Sequence, residues 1–317
     1  MDPKTGSFPN GLKPEINLEK LHKLAAQLML PGRFVLRPLS AALEILTNTL
    51  AWILGSRLVR RHFHLMLSGL VLFGPVLSLW ASKYSIFANS NHYLYRKFLR
   101  STWGWTCLLT GSFVLVLSFS ACRCLSLSLR HVSRLGLAGV LWWGCRRLLT
   151  LLEDATGTCY EPMAPAQDVQ STAAPPLLLL HEDLTKASCL KANMLWRGYE
   201  VSQDILILSF CCLLLAEEMS VIGRHLAQER RLLRSPGAPC RLLFLLCVLL
   251  LIIWMFLLLC LLVYFPKWPS QQLGGALGYL GWMGLYQGWY RLRVNWGSPG
   301  LPGEGLFTAT DCNKRPQ

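Results

Sequence analysis

Charge is scarce in this sequence, and acidic charge scarcest: 17 Asp and Glu stand against 31 Lys and Arg in 317 residues. Between Leu242 and Phe265 there is no charged residue at all, in the run LLFLLCVLLLIIWMFLLLCLLVYF. Such a run excludes a soluble fold, because a hydrocarbon core of about 30 Å needs only ~20 apolar residues in a helix. Lipid offers backbone amides no partner, so each crossing segment must bond within itself, and the fold class is an all-α polytopic helical bundle. Also missing are a Walker loop, a Rossmann glycine fingerprint, HExxH and GxSxG, which removes the common soluble-enzyme chemistries. No metal or other cofactor is expected, since His62 and His64, two apart, fall on different faces of a helix. The net charge of +14 is scattered between apolar segments and not gathered on one polar domain. It therefore points to membrane phospholipid and to positive-inside topology, and nucleic acid is not an expected partner. The first 37 residues are mixed and end in Arg33 and Arg37, without the early apolar region of a secretory signal, so no cleavage is expected. No retention tetrapeptide closes the sequence.

Hydropathy marks seven apolar segments: Pro38–Gly55, Phe63–Trp80, Trp103–Ala121, Val132–Leu152, Ser202–Gly223, Leu242–Phe265 and Leu273–Trp289. The first is short and contains Glu44, and the fourth carries Arg146 and Arg147, so either crosses, re-enters or lies in the interface. Ahead of them, residues 1–37 form a polar extension in which Glu15–Leu30 has an amphipathic helical pattern. The membrane domain covers 38–290, with a loop at 153–201 and another at 224–241, and 291–317 is a tail. Arg224, Arg230, Arg231, Arg234 and Arg241 make the second loop cytosolic, while the first, richer in acids, is lumenal. Six spans then place both termini in the cytosol, in keeping with the basic residues of the amino-terminal region; seven spans would place the amino terminus in the lumen.

Most cysteines sit inside apolar segments, where a thiol behaves as a small hydrophobe. Cys159 and Cys189 differ, since both fall in the predicted oxidising lumen on either side of the low-complexity stretch Ala164–Pro176, and they are a candidate disulfide. Glu217 and Glu218 are acids within a segment, a functional signal unless they snorkel or pair with Arg224. Gly274-x-x-x-Gly278 and Gly284-x-x-x-Gly288 read as faces for close helix packing. Asp204 begins the fifth segment and Ser270 sits in the predicted connection Pro266–Gln272, so both face one leaflet. Together they mark a candidate site, although an acid in a first helical turn is also favoured by the macrodipole. His181, Glu182 and Asp183 adjoin the linker, a poor place for preorganised chemistry. No broken-helix pair or inverted repeat suggests a transporter.

Five stretches carry a family resemblance: Trp103-Gly-Trp-Thr-Cys107, Arg130-His-Val-Ser-Arg134, Glu153-Asp-Ala-Thr-Gly-Thr-Cys-Tyr-Glu-Pro162, Trp196-Arg-Gly-Tyr-Glu-Val-Ser202 and Cys211-Cys-Leu-Leu-Leu-Ala-Glu-Glu218. With Tyr286-Gln-Gly-Trp-Tyr290 they span Arg57 to Trp296 and resemble the fat storage-inducing transmembrane protein family. The resemblance implies residence in the endoplasmic reticulum as a multi-pass protein, six spans with cytosolic termini, binding of diacylglycerol and triacylglycerol, and promotion of lipid droplet formation. Some members resemble lipid phosphate phosphatases and cleave the diphosphate of fatty acyl-CoA in the lumen with two histidines, one as nucleophile and one as general acid and base. Here Asp204 and Ser270 stand at those two places. Serine does not shuttle protons at neutral pH, so a pseudoenzyme that binds lipid is expected. The alternative is a diphosphatase using Asp204 with an acid such as His181 or Glu182. Which residues contact lipid is not readable at this level.

Overall fold

The computed structural model describes residues 41–82, 84–122, 125–162, 178–181, 185–229, 237–291 and 299–304. The amphipathic stretch 15–30, the Ala164–Pro176 linker, Glu182, Asp183, the arginines at 230, 231 and 234 and the end of the tail lie outside them. The chain divides into two compact units, Met1–Leu46 and Thr47–Gln317, and the crossing helices all belong to the second. Five helices are long and apolar enough to cross a membrane, within Leu58–Leu79, Tyr93–Ser120, Leu127–Thr156, Gln203–Gly223 and Ala238–Tyr264. The all-α polytopic class read from the sequence is what the structure has.

Helix α1, Ala41–Gly55, reaches about 22 Å at 1.5 Å per residue, short of the hydrocarbon thickness. Helix α2, Arg57–Phe73, opens on Ser56, whose hydroxyl accepts from the Val59 amide, and tightens into a 3-10 turn, Gly74–Leu79, at Pro75. A short α3, Tyr93–Lys97, leads into α4, Thr102–Cys122. Helix α5, Leu125–Thr156, runs unbroken for 32 residues, so the segment with Arg146 and Arg147 is one continuous helix, long enough to cross. Both arginines are exposed near its far end, and Arg147 lies 5.6 Å from the Trp143 ring, where a long cationic side chain snorkels.

Helix α7, Gln203–Glu229, is the axis of the bundle: from Ile205 to Leu215 it is apolar apart from Ser209 and buried on every side, as expected of a stretch with no polar face. Around it pack α2, α4, α8 (Ala238–Tyr264) and α9 (Trp268–Trp282), while α5 lies outside against α4 with most of its surface free for lipid. A polar tie joins two of these helices, Trp254 Nε1 donating to Thr106 Oγ1 at 3.0 Å, where an unpaired indole N–H would be penalised. Beyond α9 the helical run continues through a π segment, Met283–Gly288, and a 3-10 turn, Trp289–Arg291.

Between α5 and α7 the chain builds a small covering unit and not a plain loop. Strands β1 (Thr158–Pro162), β2 (Leu178–His181) and β3 (Leu195–Arg197) form an antiparallel sheet in the order β2-β1-β3, joined by helix α6, Lys186–Lys191. Cys159 of β1 is bonded to Cys189 of α6, with Cα atoms 5.9 Å apart across a separation of 30 residues. Lys186 is tethered to Asp154 and Glu153 at the end of α5. The hydrogen bond it donates to Asp154 raises its pKa, so it is charged throughout the physiological range.

Candidate functional site

Two polar sites stand out, one at each end of the central helix α7. At the sheet end, Asp204 lies in the first turn of α7 and is exposed. Ser270 is in the first turn of α9 and not in a connecting loop, a correction to the sequence reading. The apolar segment begins only at Leu273, but the helix starts earlier, at Trp268, with Pro269 in a first turn where proline loses only an N–H that is unsatisfied anyway. The two helix starts are stitched together, the Ser202 amide donating to the Ser270 carbonyl at 3.2 Å. Glycine permits this approach: a Cβ on Gly274 would sit 2.4 Å from the Ser202 carbonyl oxygen, and one on Gly278 would sit 2.7 Å from that of Leu206. The second glycine pair behaves differently, since a Cβ on Gly284 meets nothing within 4 Å.

Around Asp204 the sheet end mixes charges of both signs. Arg146 of α5 and Lys267 act on its carboxylate through charge, and Lys267 also pairs with Glu200 at 2.9 Å. The Ser270 hydroxyl is buried and has no hydrogen-bond partner, so nothing in the structure orients or deprotonates it. Gln271 next to it is occupied structurally, its Nε2 donating to the Leu261 and Phe265 carbonyls that end α8. His181 ends β2.

At the other end of α7 the two intramembrane acids have partners that sequence reasoning missed. Glu217 pairs with Arg60 of α2 at 3.2 Å. Glu218 and Arg134 of α5, each 1% exposed, form a two-pronged pair, with Arg134 Nε to Oε1 at 3.0 Å and Nη2 to Oε2 at 2.9 Å. Tyr286 donates to the same Oε1 at 2.9 Å, and Tyr290 donates to the Arg134 carbonyl at 2.9 Å. Arg134 Nη1 also meets His131 Nδ1, and because arginine only donates, that nitrogen is the acceptor of a neutral imidazole. The signal in the sequence was Arg134, a basic residue inside the apolar segment Val132–Leu152 that also closes one of the motifs. Among the described residues no cluster of three or more His, Cys, Asp or Glu side chains is placed to hold a metal.

Comparison with known proteins places this geometry. The chain is 59% identical to fat storage-inducing transmembrane protein 1 of Danio rerio, over 85% of this chain and 93% of that protein. It is 42% identical to the human protein of that name, over 87% and 88%. The chain belongs to the fat storage-inducing transmembrane protein family. Within that family it is also 31% identical to acyl-coenzyme A diphosphatase FITM2 of Xenopus tropicalis, over 77% of this chain and 86% of that protein. No family model and no solved structure matches the chain. As a family member it carries its motif residues at both polar sites. Glu218 and Arg134, each closing one of the quoted motifs, form the ion pair, and Tyr286 and Tyr290, bounding another, enclose it.

Proposed function

We propose that this protein promotes lipid droplet formation in the endoplasmic reticulum by binding and partitioning diacylglycerol and triacylglycerol, without catalysing a reaction of its own. Five crossing helices and relatives named for fat storage support this reading. The helical run Trp268–Arg291 supplies a sixth crossing. An even number puts both termini, the 224–241 loop and the Arg134–Glu218 pair toward the cytosol, and the sheet with its Cys159–Cys189 disulfide in the lumen. The basic residues on the cytosolic side engage anionic phospholipid, each contributing about 1 kcal/mol near the surface. On this account the bundle is a lipid phosphate phosphatase-like frame that has lost its histidines.

The observation that carries the non-catalytic reading is the state of Ser270. Its hydroxyl is buried in a helical turn with no base beside it, whereas phosphoryl transfer to or from an imidazole needs a group that exchanges protons near neutral pH. A second reading holds the diphosphate of an acyl-CoA at this end, where the charges of Arg146 and Lys267 act on Asp204. The Asp204 carboxylate attacks one phosphorus, the P–O–P bond breaks, the other phosphate ester leaves, and water then hydrolyses the acyl phosphate. Purified protein incubated with oleoyl-CoA, with products followed by mass spectrometry, separates the two. The non-catalytic reading expects wild type near background, and measurable hydrolysis only when Asp204→His is combined with Ser270→His. Turnover by wild type that is abolished by Asp204→Ala establishes the second reading instead.

A further inference from the structure

We infer that the cavity between α2, α7 and α9 binds the glycerol end of a diacylglycerol; this rests on the neutral-lipid function proposed above and assigns it a place. The cavity holds about 280 Å³, near the low end of the ~300–1,000 Å³ usual for small-molecule sites. It accommodates a headgroup and the start of its chains, not a whole lipid. Leu67 and Val71 of α2 give it apolar walls, and Ser68, Ser209, Gln272 and Tyr279 bring polar atoms to it from all three helices. It lies on the sheet side of mid-bundle, because Gln272 is in the second turn of α9 and Val71 is near the end of α2.

Its chemistry selects the ligand. No Asp, Glu, Lys, Arg or His lines it, so a phosphate entering it would be desolvated without a counter-charge. Phospholipid is thereby disfavoured. The Nε2 of Gln272 is buried and has no partner, and a shut-in amide donor is costly unless an oxygen accepts from it. An ester carbonyl does so. Ser209, 1% exposed, already spends its proton on the Ile205 carbonyl at 2.6 Å, which leaves its oxygen as an acceptor. A free hydroxyl satisfies it. Diacylglycerol carries both groups side by side, whereas triacylglycerol has ester carbonyls and no hydroxyl. Ser68, Leu72 and Ala276 are exposed at the rim, so the cavity opens sideways and the two acyl chains remain in the bilayer. The groove between α4 and α5 is larger, about 760 Å³, but it is walled by aliphatic side chains, glycines and three tryptophans, with Ser133 and Cys107 its remaining polar residues. It offers no amide donor beside a hydroxyl acceptor of the kind Gln272 and Ser209 make.

The test is photolabelling of the full-length protein in phosphatidylcholine nanodiscs, with a diacylglycerol that carries a diazirine next to one ester, followed by peptide mapping. Label is expected on residues 67–72 and 272–279, displaced by diolein and poorly by triolein or dioleoyl phosphatidic acid. Gln272→Leu removes the amide at similar size and should weaken labelling about five- to tenfold, the worth of one buried hydrogen bond. Ala276→Phe, which fills the mouth from an exposed position, should weaken it at least as much. Gly136→Ala, in the other groove, where a Cβ meets nothing within 4 Å, should change nothing. Saturable labelling elsewhere in the chain, or equal displacement by phosphatidic acid, overturns the assignment while leaving the proposed function standing. If wild type binds no neutral glycerolipid saturably, both fall.

Discussion

Arg134 and Glu218 show what a single charged residue demands inside a bilayer. Each is almost fully buried, and each has its hydrogen-bonding capacity met by the other, by Tyr286 and by His131. Removing one partner leaves an uncompensated charge, and such losses cost about 3–5 kcal/mol in buried pairs. Arg134→Ala and Glu218→Ala should each lower the melting temperature of the detergent-solubilised protein sharply, while Arg134→Met with Glu218→Leu should recover most of the loss. A double variant no more stable than either single one would mean that the pair is not the reason for its own burial. The acids themselves were legible in the sequence as intramembrane charges. Their partners were not, because Arg60 and Arg134 lie 157 and 84 residues away, and only the folded bundle brings them near. Ser270 was misplaced for a local reason: Lys267, Ser270, Gln271 and Gln272 are polar, so the apolar segment starts only at Leu273, whereas the helix begins at Trp268.

At the scale of elements, helix packing depends on where backbone approaches backbone. Gly274 and Gly278 let α9 ride directly on the carbonyls of α7, and the small-x-x-x-small spacing had indicated such a face. The same spacing at Gly284 and Gly288 gave a false signal, since those residues fall in the π segment and touch nothing closely. Gly274→Leu should therefore abolish a monodisperse peak in size-exclusion chromatography, whereas Gly284→Ala should leave it intact; the reverse order would contradict the packing described. The three strands were missed altogether. β1 and β3 are five and three residues long, too short for an alternating pattern to rise above the noise, and the sheet is tied to α6 by the Cys159–Cys189 bond. If Cys159 and Cys189 are joined in the cell, their thiols will alkylate in intact microsomes only after reduction. Labelling without reductant would remove the disulfide from the account.

For the whole molecule, apolar length was the strongest signal, and the long helices fall where uncharged runs predicted them. The number of crossings was less legible, because α1 is too short for the hydrocarbon core and the helical run after α8 is divided among α9, a π segment and a 3-10 turn. A glycosylation acceptor inserted between residues 6 and 11 should remain unmodified in cells if six helices cross; modification would place that terminus in the lumen and require a seventh. The most direct test of the central claim is equilibrium binding of radiolabelled triolein to the purified protein in detergent. The account predicts a saturable isotherm that excess phosphatidylcholine does not displace. Uptake that rises linearly with triolein, or that phosphatidylcholine abolishes, would contradict it.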